Sequence, residues 1–311
     1  MDVFSEANRF LLPESHYKLE ILGIEHGPLR CSNGISITAD RHYSEVEDAF
    51  DLLLVAGGPE LVQQEFSEAF YAWLRRATAK ARNYGSICSG AFILARAGLL
   101  DGKAATTHWN YADALASFCP TAHIEADRLY IQDGRLYTSA GVTAGIDLSL
   151  YLLTQEKGPE VALNVAKRLV VFMQRAGGQS QFSPYLTPYA EPHSPVAQVQ
   201  QYVLANLTED LSVKVLAGVA NMSLRNFARM LARDAKVSPA EFVEGARMDA
   251  ARAMLERTTT PSKTIAYECG FNDAHRMRSV FQRRFGVSPQ QYRHSFGTAH
   301  FGVESTVRAG M

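Results

Sequence analysis

Residues 263–293, KTIAYECGFNDAHRMRSVFQRRFGVSPQQYR, constrain this chain more than any other stretch. Ile265, Ala266 and Cys269 fall on one helical face, and Gly270 can then take positive φ, which permits a sharp turn. Asn272 or Asp273 can cap a second helix by accepting backbone N–H bonds. Along that helix Met277, Val280, Phe281 and Phe285 recur at i, i+3, i+4 and i+8. The pattern predicts helix, tight turn, helix. The opposite face carries His275, Arg276, Ser279 and Arg283, with Arg278 on its flank. A basic, hydrogen-bonding face of this kind fits the major groove of DNA. From periodicity alone, an ordinary solvated amphipathic helix fits as well.

A related unit precedes it. Between Ser212 and Arg233, Val215, Leu216 and Val219 predict a supporting helix, Asn221 and Met222 a turn, and Ser223 a cap. The next helix would bury Phe227, Met230 and Leu231 and turn Arg225, Asn226 and Arg229 outward. Pro239–Glu256 reads as a long helix joining the two units. Charge follows the same division. Residues 196–296 hold 14 Lys and Arg against 9 Asp and Glu, whereas the rest holds 17 against 23, so a net charge of −1 hides a basic C-terminal part. Such polarity suits a polyanion-binding module joined to one with a different task.

The run Gly270-Phe271, Phe281, Phe285-Gly286-Val287-Ser288-Pro289 through Tyr292-Arg293 resembles the C-terminal signature of the AraC/XylS family of bacterial transcription regulators. The resemblance implies double-stranded DNA as partner, with two recognition helices entering successive major grooves about 34 Å apart. It places Arg225, Asn226 and Arg229 of the first unit, and His275, Arg278 and Ser279 of the second, over base edges. Arginine can bond guanine bidentately and asparagine adenine. Arg276, Arg283 and Arg284 are assigned to phosphates, which anchor without reading sequence.

The N-terminal part alternates. Residues 17–24, 51–58, 84–88 and 104–107 read as strands, with helices at 1–12, 61–82, 89–97 and 111–118. A hairpin around Asp133-Gly134 follows, then helices at 143–154 and 160–173. This order predicts a flavodoxin-like α/β domain with a largely parallel sheet, ahead of an all-α double helix-turn-helix domain. Cys88, at a strand-to-helix turn before Ser89 and Gly90, has the setting of a nucleophile elbow, where a helix N-terminus favours the thiolate. As a lone cysteine it equally suits packing. His108 ends a later strand, and both residues would sit at the carboxyl ends of parallel strands, where open α/β sheets bind ligands.

With Gly57-Gly58 and Thr138-Ser139-Ala140-Gly141, this part resembles the class I glutamine amidotransferase-like superfamily, in its intracellular-protease-like branch. The combination with paired helix-turn-helix units is similar to the GlxA type of AraC-family regulator. Two departures bear on what the resemblance implies. Hydrolytic relatives place a histidine directly after the nucleophile, where this chain has Ser89, and no acidic residue is evident to orient His108. Relatives also begin with a hydrophobic strand that lies in mid-sheet, and this chain starts in the following helix. Either the true start lies upstream, or a partner or rearranged strand fills the gap.

The expectation is therefore a transcription regulator whose N-terminal domain binds a small-molecule effector through Gly57, Gly58, Cys88, Ser89 and His108, with no catalytic residue, Cys88 and His108 being vestigial. The alternative is a cysteine-dependent amidohydrolase or glyoxalase-like enzyme fused to a DNA-binding domain. RNA polymerase and a second copy of the chain are further partners in this reading. Four scattered cysteines, Cys31, Cys88, Cys119 and Cys269, suit neither a disulfide framework nor a metal site, so no metal and no cofactor are expected. No basic segment leads into an apolar one at the N-terminus, and no run of ~18 apolar residues exists, which points to the cytoplasm. The predicted divisions are 1–173 for the sensing domain, 174–195 for a linker rich in Gly, Ser, Gln and Pro, 196–296 for the DNA-binding domain and 297–311 for a disordered tail.

Overall fold

The computed structural model describes residues 1–171, 173, 178–179, 194–235 and 237–297. Two units separate, residues 1–179 and 180–311. The predicted linker and tail lie largely outside the described residues.

The first unit opens with α1 (Asp2–Ala7), extended by a 3-10 turn over Asn8–Phe10, where one helix over 1–12 was expected. Short strands follow: β1 (Leu22–Gly23), β2 (Pro28–Arg30), β3 (Ser36–Thr38) and β4 (Arg41–His42). β2 and β3 form an antiparallel pair that sequence reading did not foresee, and β1 pairs with β4 in parallel. The expected strand over 17–24 shrinks because side chains take ladder positions. Asn8 Oδ1 accepts the Tyr17 N–H at 2.7 Å, and Asp40 Oδ2 accepts that of Ile21 at 2.7 Å.

The main sheet is built from β5 (Leu52–Val55), β6 (Asn83–Ile87), β9 (Tyr130–Asp133) and β10 (Leu136–Ser139), in the order β5-β6-β10-β9. β5, β6 and β10 run parallel, and β9 returns antiparallel through a hairpin at Asp133-Gly134. Among the described residues no strand pairs with the outer edge of β5. A small parallel pair, β7 (Ala104–Ala105) with β8 (His123–Ile124), lies beside it.

Helices cover both faces. α2 (Glu68–Lys80), α3 (Gly90–Arg96) and α4 (Ala112–Phe118) bury Phe70, Trp73, Leu74, Phe92, Leu94 and Leu115 with Leu136 of β10. α5 (Val142–Lys157) and α6 (Pro159–Leu169) pack with α1 through Val3, Leu150, Leu153 and Val165, while Leu148 and Leu152 meet Phe4 and Tyr137. The helix expected over 61–82 is instead a 3-10 turn at Pro59–Val62, then α2 begun by Ser67, whose side chain accepts the Phe70 N–H.

The second unit is helical among its described residues: α7 (Pro195–Ala205), α8 (Val213–Val219), α9 (Leu224–Met230), α10 (Pro239–Arg257), α11 (Ser262–Glu268), α12 (Ala274–Phe285) and α13 (Pro289–Phe296). It holds two cores, and α10 belongs to both. Phe242, Val243 and Ala246 from its first half pack with Val199, Val203, Leu216, Phe227 and Leu231. Met248, Ala251 and Leu255 from its second half pack with Ile265, Met277, Phe281, Phe285 and Tyr292. One helix of 19 residues, about 28 Å long, therefore fixes the two halves to each other.

Candidate functional site

Each helix-turn-helix is shaped by local chemistry. In the first, Asn221 takes φ +52° at the turn, and Ser223 caps α9 by accepting the Asn226 N–H at 3.4 Å. Burial of Phe227 and Met230 leaves Arg225, Asn226 and Arg229 exposed on the other side. Arg229 Nη2 reaches Asn226 Oδ1 at 3.5 Å, so these two side chains form one polar patch. α9 then loosens into a π-turn over Leu231–Ala235.

In the second unit Gly270 takes φ +74°, and the cap is Asp273 rather than Asn272, its Oδ1 accepting the Arg276 N–H at 2.7 Å. Met277, Val280, Phe281 and Phe285 are buried, and His275, Arg276, Arg278 and Ser279 are exposed. Arg283 and Arg284 are engaged within the protein. Glu244 Oε1, on α10, accepts from Arg283 Nη2 at 2.7 Å and from Arg284 Nε at 2.9 Å. Arg284 is largely covered, so it braces α12 against α10, whereas the more exposed Arg283 keeps donors toward solvent.

In the first unit the predicted pocket residues converge where β5, β6 and β10 end. Cys88 follows β6 with φ +57°, the left-handed region that a β-carbon disfavours, and its N–H donates to the carbonyls of Ser139 and Ala140 at 2.9 Å. Gly57 passes so close that a Cβ on it would lie 2.6 Å from Ile87 O and 2.8 Å from Cys88 Cβ. Ser89 is buried and ties the elbow to the glycine loop, its Oγ donating to Gly58 O at 2.5 Å and accepting from Gly58 N at 3.0 Å. Thr107, which sequence reading passed over, donates its hydroxyl to Cys88 O at 2.8 Å. A buried threonine beside a strand end leaves no distinctive sequence signal.

His108 comes next, half-buried, its ring tilted against those of Trp109 and Tyr111, and a Cβ on Gly141 would sit 3.1 Å from its Cδ2. Its Nδ1 accepts the Asn110 N–H at 3.2 Å, capping a 3-10 turn. Burial holds its pKa below the usual histidine value. Among the described residues no carboxylate bonds His108, and no cluster of His, Cys, Asp or Glu could hold a metal ion. No helix among them is long and apolar enough to cross a membrane.

Two capped helices with exposed basic faces, joined by one shared helix and preceded by an α/β domain, define a DNA-binding regulator. The DJ-1/PfpI family matches residues 1–155, and a helix-turn-helix domain matches residues 216–295. The HTH-type transcriptional regulator CdhR of Pseudomonas aeruginosa is 31% identical over 287 residues, 92% of this chain and 84% of that protein. The HTH-type transcriptional regulator GlxA of Rhizobium meliloti is 25% identical over 282 residues, 91% of this chain and 86% of its own length. Isonitrile hydratase of Pseudomonas putida is 33% identical over 142 residues, 46% of this chain and 60% of the enzyme. This chain belongs to the HTH-type transcriptional regulators that join a DJ-1/PfpI domain to an AraC-type DNA-binding domain.

Proposed function

We propose that this regulator is controlled by a small polar effector held by Gly57, Gly58, Cys88, Ser89 and His108, and that the molecule works by binding rather than turnover. The observation that carries the reading is the ring of His108. A general base needs a free lone pair aimed at the nucleophile. Here Nδ1 accepts the Asn110 N–H, so a neutral ring carries its proton on Nε2 and offers it to an acceptor oxygen on the effector. The positive φ of Cys88 favours the competing reading, a cysteine-dependent amidohydrolase or glyoxalase-like enzyme, because strained elbows present nucleophiles.

On DNA, Arg225, Asn226 and Arg229 would read one half-site, and His275, Arg278 and Ser279 the other, with Arg276 and Arg283 on phosphates. The exposure of these residues on two capped helices supports that assignment. A cytoplasmic location, a second copy of the chain and RNA polymerase as partners fit the same reading.

The test is a melting screen of the full chain with small amines and amino-acid derivatives, repeated with Cys88→Ala. A ligand at a hundred times its Kd should stabilise by about 2.7 kcal/mol. A regulator keeps specific DNA binding in Cys88→Ala and loses the ligand response at most. Hydrolytic turnover by the wild type that Cys88→Ala abolishes would overturn the proposal.

A further inference from the structure

Gln179 lies in a polar stretch without periodicity, yet its side chain is 2% exposed. Its Oε1 accepts the Trp109 N–H at 2.7 Å. Its Nε2 faces four oxygens: Thr106 Oγ1 at 3.2 Å, and the carbonyls of Thr107, Ala126 and Arg128, each at 2.9 Å. An amide nitrogen carries two protons, so four acceptors share them; the Thr106 hydroxyl also donates to the Arg128 carbonyl at 3.1 Å, so an empty socket would cost the Ala126 carbonyl its donor first. The backbone is seated too. Gln179 N–H donates to Asp127 O at 2.8 Å, and Gly178 approaches Asp127 so closely that any Cβ would collide with its carbonyl oxygen and carboxylate.

These bonds bracket His108, one reaching the residue before it and one the residue after. Thr107 extends the chain of contacts, since its hydroxyl donates to Cys88 O at 2.8 Å. Two hydrogen bonds therefore separate the elbow from Gln179. Residue 179 is also the last of the first unit, with Ser180 opening the second.

We propose that Gln179 is a positioning residue that latches the segment entering the DNA-binding unit onto the His108 loop, so that pocket occupancy and the seating of residue 179 shift together. The proposal rests on the reading of the Cys88–His108 cleft as a binding pocket. Any group that binds one seating of the loop better than the other must bias the latch, and the latch must bias its binding by the same factor.

The experiment is hydrogen–deuterium exchange on the full chain in a Cys31→Ser background, with iodoacetamide as the pocket probe, since Cys119 and Cys269 are buried. Alkylation of Cys88 should change exchange at the Gln179 amide by about tenfold, the equivalent of one hydrogen bond. In Gln179→Ala the Trp109 amide should exchange about tenfold faster without alkylation. Gly178→Ala should do the same while leaving the Gln179 side chain intact, which keeps the test open if the first variant fails to fold. A Gln179 amide indifferent to alkylation, or a Trp109 amide unmoved in Gly178→Ala, would overturn the latch. A metabolite panel that never shifts melting would count against the effector reading alone, because the alkylation result needs no effector.

Discussion

Replacing Glu244 by Gln should weaken the second unit and strengthen its grip on DNA at the same time. Glu244 Oε1 holds Arg284, whose side chain is 19% exposed, and Arg283, which is 63% exposed. A charge-assisted bond to the covered Arg284 contributes about 1.5–3 kcal/mol, and the exposed Arg283 pair about 0.2–1 kcal/mol. Glutamine retains one carbonyl acceptor but no charge, so a loss of about 1–2 kcal/mol is expected. For a domain of ~100 residues this lowers the melting midpoint by roughly 4–16 °C. The chain carries its own control. Both tryptophans, Trp73 and Trp109, lie in the first unit, so tryptophan fluorescence should report an unchanged transition while the helical circular dichroism of the second unit shifts.

The pH dependence follows from the same contact. Burial pushes the Glu244 carboxyl up, but the hydrogen bonds from Arg283 and Arg284 outweigh it and hold the carboxyl below its usual range. A depressed folded-state value means the contribution is present above the unfolded pKa of about 4.3 and fades as pH falls through the folded one. Wild type and Glu244→Gln should therefore converge as pH falls through that depressed folded-state value. Freeing Arg283 from the Glu244 carboxylate should also tighten its proposed phosphate contact, so DNA affinity should rise most at low salt. A circular-dichroism transition that does not move at neutral pH would refute the brace.

Arg229→Ala should relax base preference in one half of the operator and Arg278→Ala in the other, each costing about 1–3 kcal/mol at its own position, whereas Arg276→Ala should weaken all sequences alike; footprints and binding isotherms across salt separate these outcomes. Tyr292, pushed up to about 12 by burial and by its bond to Glu256, should stabilise fully below the unfolded value of about 10, and that contribution should disappear as pH rises toward 12, a loss absent in Tyr292→Phe. Cys88→Gly should melt higher than Cys88→Ala by tryptophan fluorescence, because only glycine relieves the positive φ; equal midpoints would mean the elbow stores no strain.

What the sequence disclosed follows the strength of its local signals. The second helix-turn-helix combines a four-residue apolar stripe, a capping aspartate and a turn glycine, so its elements were legible nearly residue by residue. The hairpin at Asp133-Gly134 was legible for the same reason. The strand over 17–24 was misjudged because apolar alternation does not reveal that Asn8 and Asp40 side chains hold its backbone donors. The helix over 61–82 was misjudged at its start, where a turn opening at Pro59 closes before Ser67 caps the true helix. Gln179 could not have been found at all. Its contacts are carbonyl and hydroxyl oxygens from distant points of the chain, and its neighbours in sequence are polar and without periodicity.

The elbow shows why residue identity alone leaves regulator and enzyme unresolved. Cys88 and His108 would suit either, and both stand where strands end. What supports the proposed binding reading is how the surrounding polar atoms are used. The Ser89 hydroxyl is committed to the backbone of Gly58, the Thr107 hydroxyl to the carbonyl of Cys88, and Nδ1 of His108 to the amide of Asn110. Each of these groups could have served proton transfer and instead fixes the shape of the loop. On the proposed binding reading, hydroxyls and a ring nitrogen used in this way hold the loop in one shape and so present a ligand with a defined pose. In a chain whose other half grips DNA, a rigid pose is what a binding signal requires, because only a difference in fit between two loop seatings can move the equilibrium.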